Sequence, residues 1–348
     1  MHPFLPPSPK LSPGDAVAVV SPSAGLPALF PTPYELGLRR LREDFGLVPV
    51  EYPTTRRTGA TPRERAADLH AAFADPRIKA VLASIGGDDQ IRVLPHLDKD
   101  LLRANPKPFF GYSDNTNLLV LLWNLGIPAY HGGALMTQFG RPVTMHPQTV
   151  DTLRAALFDA GPRVLTAPER VDSVVGGWDD AATFTREPEH EPAGPWVWHH
   201  ATRRVEGRSW GGNLEILSWL LMADREILPP EAYEGCVLLL ETSEDMPSAS
   251  EVRYVLRSMG ERGLLRRFPA LLMGRAKAWH FGRRLDAGER AAFRAEQREA
   301  VLWALAEYAP DTMAVLDVDF GHTDPQLVLP YGGVLTVDGP AREITAHY

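Results

Sequence analysis

Short apolar runs alternate with helical patterns over residues 15–158, and this alternation restricts the possible folds more than any other feature of the sequence. Apolar or β-branched runs predict strands over residues 16–20, 48–52, 80–85, 108–111 and 129–131. Between these runs, apolar residues at three- and four-residue spacing predict helices over residues 34–45 and 63–73, and residues 115–125 are apolar nearly all round. Strands that alternate with helices usually form a parallel sheet with crossover helices, so an α/β domain is predicted here.

A second domain is predicted in the C-terminal part, because 348 residues exceed what one hydrophobic core usually organises. The alternation of apolar runs and helical patterns stops at about residues 162–201. A long irregular stretch of this kind is usually a linker or a functional loop. We therefore predict domains over residues 1–165 and 202–348, joined by a linker or active-site loop over residues 166–201. In the second domain, the pattern predicts helices over residues 213–222, 248–260 and 288–308, strands over residues 236–240 and 313–318, and a hairpin over residues 333–344.

Composition and charge exclude several classes of protein. Hydrophobic residues make up 44% and charged residues 23%, which is ordinary for a globular protein and unlike a disordered chain. The net charge of −8 and the lack of a basic run argue against a nucleic-acid partner. No apolar stretch is long enough for a membrane span, and the proline-rich start does not resemble a secretory signal. The single Cys236, in an apolar run, predicts a buried side chain, and the chain is expected in the cytoplasm.

The first candidate for chemistry is Ser113, in the segment PFFGYSDN between a predicted strand and a predicted helix. A serine on such a turn is exposed at the carboxyl end of its strand and at the positive end of the helix. Gly111 would permit close approach of the backbone, and the amide of Asp114 lies where a nucleophile elbow has an oxyanion donor. The motif departs from G-x-S-x-G because residue 115 is Asn. The alternative is that Ser113 or Asp114 only caps the helix.

A pair of glycines, Gly86 and Gly87, follows the strand predicted at residues 80–85. Glycines at a strand end can present backbone N–H groups to an anion, as in oxyanion holes. The alternative is a tight turn followed by a helix cap. The neighbouring Asp88 and Asp89, taken with Asp114, could suggest a metal site, but no histidine or glutamate spacing supports one, so neither a metal nor a cofactor is predicted.

Two more candidates, Glu241 and His322, also lie where strands end. Glu241 ends the apolar run CVLLLE, where a carboxylate could orient a histidine, whereas Glu244 and Asp245 are typical of solvated or capping residues. His322 follows Phe320-Gly321, in a position suited to a general base. His131, which ends a predicted strand in AYHGG, is the rival base.

Seven segments in order, from LSPGDAVAVVSPSAG through GYSDNT and LLLETSED to FGHTDPQLVLPYGG, resemble the L,D-carboxypeptidase family of serine peptidases, and most of all its branch of microcin C immunity-type proteins. The resemblance implies a catalytic triad of Ser113, Glu241 and His322, with an oxyanion hole formed by the amides of Gly87 and Asp114. It also implies a fold of two α/β domains. The first would hold a flavodoxin-like parallel sheet, the active site would lie in the cleft between the domains, and the protein would often be a homodimer.

The sequence leaves two classes of substrate possible, which differ in the amide bond that is cleaved. One class of family members removes the terminal D-alanine of murein tetrapeptides, and the other cleaves an amide between an acidic residue and a modified nucleotide. The segments IGGDD and LLLETSED favour the second, so a small peptide or an aminoacyl-nucleotide is the expected partner. Trp178, Trp196 and Trp198 could stack on a nucleobase, and Gly86 and Asp88 could contact substrate, although loop tryptophans equally often cover a core. A two-domain binding protein without catalysis is the alternative from another class.

Overall fold

The computed structural model describes residues 2–6 and 8–348. Within these residues the chain forms eight α-helices, α1 Pro31–Glu43, α2 Pro62–Ala74, α3 Lys99–Ala104, α4 Thr116–Asn124, α5 Pro147–Leu157, α6 Leu214–Met222, α7 Ala249–Glu261 and α8 Ala287–Tyr308. Local sequence explains where three of them begin, because Thr61, Ser248 and Asp286 each form a capping box with a glutamate three residues later. No helix in this part of the chain is both long enough and apolar enough to span a bilayer.

The strands of the first half are β1 Ala16–Val20, β2 Val48–Glu51, β3 Ile78–Ala83, β4 Phe109–Gly111, β5 Ala129–His131, β6 Pro162–Leu165 and β7 Arg170–Val174. The remaining strands are β8 Glu189–Pro192, β9 Val197–His199, β10 Arg204–Asn213, β11 Val237–Glu241, β12 Ala270–Gly274, β13 Met313–Val318, β14 Leu329–Tyr331, β15 Val334–Asp338 and β16 Glu343–His347.

The first sheet has the order β14-β5-β4-β3-β1-β2, in which β1 to β5 are parallel and β14 is antiparallel to β5. The parallel strands follow the flavodoxin order 2-1-3-4-5, so the predicted fold class is confirmed. Helix α4, predicted to be apolar on all sides, is buried at each of its residues, as expected of a helix packed between two layers.

The second sheet has the order β6-β16-β15-β10-β11-β12-β13-β9, with a parallel centre formed by β10 to β13. The flanking pairs are antiparallel. The buried apolar runs of β11, β12 and β13 form its core, as is typical of parallel strands covered on both faces. The molecule is therefore an α/β structure built around two large sheets.

Sheet membership does not follow the chain strictly. Strand β14, from the C-terminal part, joins the first sheet. Strand β6 joins the second sheet, although its residues lie in the predicted first domain. Residues 166–201, expected to be irregular, contain β7, β8 and β9; the first two form a separate two-stranded sheet and β9 forms the edge of the second sheet. The domain limits at residues 165 and 202 stay a prediction.

Candidate active site

A cavity of about 1290 Å³ lies where the carboxyl ends of strands from both sheets meet. Ser113 follows β4 and the Gly86-Gly87 pair follows β3, both on the first sheet, and His322 follows β13 of the second sheet. Residues after β10, β11 and β12 complete the wall, together with residues 174–189 between β7 and β8. In α/β sheets this edge is where ligands bind.

Ser113 lies on a sharp turn between β4 and α4, half-buried at the cavity wall. Its φ of 61° is in the left-handed region, which is uncommon for a residue with a side chain. Strained backbone of this kind is typical of a nucleophile elbow. Among the described residues, the Ser113 hydroxyl has no hydrogen-bond partner in the chain.

The glycine pair lies directly against this turn. A Cβ atom added to Gly86 would be 2.9 Å from Ser113 Cβ and 3.0 Å from Ser113 Oγ, so only glycine fits there without displacing the serine. The same position is 3.5 Å from the backbone nitrogen of Asp114. The Gly86-Gly87 segment and the amide of Asp114 therefore border one small space beside Ser113 Oγ.

Two side chains fasten the glycine loop to the serine turn. Buried Asp114 accepts hydrogen bonds from the backbone N–H groups of Asp89 (3.0 Å) and Gln90 (2.9 Å). Gln90 is fully buried, donates to Asn115 Oδ1 (2.8 Å) and accepts from the N–H of Leu118 (2.9 Å). The Asp114 side chain is thus structural, and burial raises its pKa to about 6. Sequence reasoning missed Gln90, and only its position after the glycines could have suggested the role.

Glu241 and His322 are in direct contact. Glu241, the last residue of β11, is fully buried, and its Oε2 lies 2.5 Å from His322 Nδ1. Burial opposes ionisation of the carboxyl, but the charge of His322 and this hydrogen bond hold the pKa of Glu241 below its ordinary value. The carboxylate fixes the orientation of the imidazole ring, and Nε2 is left directed away from it.

The second nitrogen of His322 lies near another carboxylate. Nε2 is 3.2 Å from Oε2 of Glu244, whose side chain is 55% exposed. Burial disfavours the imidazolium, but the charges of Glu241 and Glu244 outweigh this and raise the pKa of His322 to about 9. In this arrangement, His322 is protonated at neutral pH. The Tyr112 ring packs against the imidazole with centroids 4.8 Å apart.

The rival base, His131, lies behind this pair. It is fully buried at the end of β5, and its Nε2 is 4.0 Å from Glu241 Oε1. Burial lowers the pKa of His131 to about 4, so the ring is neutral near pH 7. His131 is not part of the cavity wall, whereas His322 is.

The three tryptophans named from the sequence lie in different environments. Trp178 lines the cavity and packs edge-on against Phe30, with ring centroids 5.8 Å apart. Trp196 instead is buried in the core of the second sheet, where its Nε1 donates to Asp319 Oδ2 (2.9 Å), and Trp198 packs against the same core. The structure therefore does not bring Trp196 and Trp198 to the cavity, because β9 carries Trp198, and Trp196 directly before it, onto the edge of that sheet. Sequence reasoning missed Trp279, which does line the cavity.

The aspartates near the glycine loop separate in space. Asp88 is exposed at the cavity wall, whereas Asp89 forms an ion pair with Arg65 (2.6 Å) and Asp114 is bound by backbone amides. Across residues 2–6 and 8–348, no three histidine, cysteine or acidic side chains are grouped so that they could hold a metal ion. Cys236 is buried and unbridged, and burial raises the pKa of its thiol to about 11.

Comparison with known proteins identifies relatives along the whole chain. The microcin C7 self-immunity protein MccF of Escherichia coli is 26% identical over 99% of this chain and 96% of its own. A probable murein peptide carboxypeptidase of Bacillus subtilis is 36% identical over 68% of this chain and 65% of its own.

Solved structures show the same architecture. MccF in complex with glutamyl sulfamoyl guanosine superposes with a TM-score of 0.82, at 25% identity and with 98% of each chain covered. An MccF-like protein from Streptococcus pneumoniae in complex with AMP gives a TM-score of 0.84 at 24% identity, covering 96% of this chain and 99% of its own. The LD-carboxypeptidase N-terminal domain matches residues 17–132 and the LD-carboxypeptidase C-terminal domain matches residues 206–337, so the chain belongs to this peptidase family.

Proposed function

We propose that this protein is a serine carboxypeptidase that hydrolyses an amide bond in a small peptide or an aminoacyl-nucleotide, with Ser113, Glu241 and His322 as its triad. The observation that carries the proposal is the hydrogen bond between Glu241 and His322 at a cavity that also contains Ser113 on its strained turn. A protein that only binds its ligand would not need a serine, a histidine and a buried glutamate at the ends of three strands.

In the proposed mechanism, Ser113 Oγ attacks the carbonyl carbon of the scissile amide while His322 Nε2 takes the hydroxyl proton. Glu241 holds the ring and stabilises its charged form. The imidazolium then gives its proton to the leaving nitrogen, which departs and leaves an acyl-enzyme. Water, activated by the same imidazole, hydrolyses the ester and restores Ser113.

The oxyanion would be stabilised by the backbone amides of Gly87 and Asp114. In support, neither amide donates a loop, turn or cap hydrogen bond within the described residues, and the Gly86-Gly87 loop borders the Ser113 turn. A donor of this kind is typically worth ~10²- to 10³-fold in kcat, and general base catalysis ~10²- to 10⁴-fold. Both contributions are needed for an efficient peptidase.

Two substrate classes remain, and each has support. The full-length match to MccF and the position of Trp178 in the cavity favour an amide that joins an amino acid to a nucleotide, because an aromatic wall can stack on a base. The 36% identity to a probable murein peptide carboxypeptidase favours a tetrapeptide from which D-alanine is released. Cytoplasmic location stays a prediction from the sequence, and a homodimer stays a prediction from the family resemblance.

The test is mass spectrometry of the products formed by the purified protein from a murein tetrapeptide and from aspartyl sulfamoyl adenosine. We expect free aspartate from the nucleotide, and none with Ser113→Ala. Release of D-alanine alone would instead assign murein trimming. Turnover by Ser113→Ala at the parent rate would exclude this serine as the nucleophile.

The two histidines are compared in the same assay. His322→Gln should lose ~10²-fold or more of kcat, because the general base is removed, whereas His131→Gln should keep most of it. The opposite ranking would make His131 the base.

A further inference from the structure

A buried lysine, Lys277, lies on the cavity wall three residues after β12. Its side chain is only 7% exposed, yet within residues 2–6 and 8–348 it donates no hydrogen bond and forms no ion pair. Burial removes much of the water around a cation, and in the described chain no direct contact to the Lys277 ammonium replaces it. The proposed catalytic groups do not explain why this residue is a lysine.

Three carboxylates lie near Lys277: Asp172 and Glu244 already have other partners, and Asp324 forms no ion pair with the lysine in the described chain. Asp172 forms an ion pair with Arg141 (3.0 Å) and lies at hydrogen-bond distance from His190 Nδ1 (2.7 Å), and Glu244 lies beside His322. The charges of Asp324, Asp172 and Glu244 act on Lys277 from a distance, but burial outweighs them and lowers its pKa. No described carboxylate therefore neutralises the ammonium directly.

Lys277 differs from the other cations of the described cavity wall. Of the other cations on the wall, Arg141 is bound to Asp172 and Glu187, and Arg186 is exposed. Lys277 is thus the buried, unpaired cation of the described wall.

We propose that Lys277 binds a carboxylate of the substrate. This inference rests on the proposed function and adds the recognition element of the same site. Nine acidic residues line the described wall, against three lysine or arginine residues. Such surroundings repel a doubly charged phosphate more strongly than a singly charged carboxylate. The carboxylate could be the terminus of a peptide or the side chain of an acidic residue.

Matched substrates distinguish these two sources. One pair is a murein tetrapeptide and its C-terminal amide, and the other is aspartyl and asparaginyl sulfamoyl adenosine. Lys277→Met keeps the length of the side chain and removes its charge. It should raise KM for the acid of one pair roughly 10- to 100-fold, as for a lost charge-assisted hydrogen bond, and leave the matching amide nearly unchanged. The pair in which KM changes shows whether Lys277 binds the terminus of a peptide or the side chain of an acidic residue.

Two controls accompany this test. Lys277→Arg keeps the charge and should keep the preference for the acid, and Lys79→Met removes an exposed lysine outside the cavity wall and should behave like the parent. Thermal unfolding shows whether Lys277→Met is folded. An equal change for acid and amide in both pairs, or no change, would overturn the proposal.

Binding of the uncleaved compounds to Ser113→Ala, measured by calorimetry, separates this inference from the proposed activity. A preference for the acid that disappears in Ser113→Ala/Lys277→Met supports Lys277 even if the parent cleaves nothing, in which case only the proposed activity fails. If Ser113→Ala binds acid and amide equally, or binds neither, the role of Lys277 is wrong whatever the parent hydrolyses.

Discussion

His322 lies between two carboxylates that would have opposite effects on its proposed role as the general base. Glu241 contacts Nδ1 and orients the ring, whereas Glu244 is close to Nε2, the nitrogen that would face Ser113. Both charges raise the pKa of His322, to about 9. A general base must be neutral to accept a proton, so in the proposed mechanism Glu244 would reduce the active fraction at neutral pH. Glu244 must also leave Nε2 before Ser113 can donate to it.

Glu244→Gln should therefore move the pH profile of kcat/KM. In the parent, activity should rise with pH as His322 loses its proton, with a pKa of about 9. Without the Glu244 charge the pKa of His322 falls, so the rising limb moves to lower pH. Lowering that pKa by one pH unit would make ~10-fold more of His322 neutral at pH 7, and activity should increase in proportion. Profiles recorded from pH 5 to pH 10 test this.

Asp245→Asn is the matched control, since Asp245 also lines the cavity but makes no ion pair with His322 in the described chain. The rising limb of its kcat/KM profile should shift along the pH axis by less than that of Glu244→Gln. Identical profiles for the parent and Glu244→Gln would show that Glu244 does not influence the base.

At the scale of elements, the space beside the proposed nucleophile depends on the Gly86-Gly87 loop, because glycine has no side chain to fill it. Gln90 and Asp114 hold the β3–β4 side of the site together, and Gly86 contacts Ser113 where any Cβ would collide. The collision involves Ser113 itself, whose φ leaves it little freedom to move. The glycine therefore sets the position of the proposed nucleophile.

Gly86→Ala should reduce kcat by ~10²-fold or more, because small displacements of a reacting group have effects of this size. The fold should persist, since the methyl group would project into the site. Gly288→Ala is the control; its nearest neighbour would be Asp286 Oδ1 at 3.4 Å, an ordinary contact on helix α8. Kinetics and circular dichroism of both variants test this. Parent-like kcat in Gly86→Ala would mean that Ser113 accommodates the methyl group.

The sequence predicted the elements that are determined by their own residues and not by pairing with distant segments. The strands β1, β5 and β13 have the predicted bounds, because apolar runs there end at turn residues. Strand β10, RVEGRSWGGN, was missed because its charges and glycines lack a strand pattern; it is formed by pairing with β11 and β15. A Cβ at Gly211 would be 1.9 Å from Leu239 O, so the glycine permits this close pairing.

Pairing between distant segments also limited the prediction of the site. The ends of β4, β11 and β13 could be found one at a time, but nothing local specified that Glu244 would lie beside His322 or that Lys277 would be buried without a partner. These features depend on how the two sheets meet.

At the scale of the whole molecule, the two sheets share segments. Strand β14 belongs to the first sheet but comes from the C-terminal part, and its Tyr331 reaches β10 of the second sheet. The buried Tyr331 hydroxyl donates to Gly211 O (2.9 Å) and accepts from Gly211 N–H (3.2 Å). Trp123, in α4, donates to Ser209 O (3.1 Å). With contacts of this kind between the two sheets, neither half should unfold alone.

Tyr331→Phe should therefore destabilise both halves together, by about 1–3 kcal/mol, because it leaves buried backbone groups of β10 without their partner. The measurement is unfolding in urea, monitored by hydrogen exchange with mass spectrometry. Peptides from β1 to β5 report on one sheet, and peptides from β11 to β13 report on the other. Tyr254→Phe is the control, since Tyr254 is 57% exposed and should change stability little. A lower midpoint in one sheet only, or two separate transitions in the parent, would show that the halves are independent and that the cavity between them can open without global unfolding.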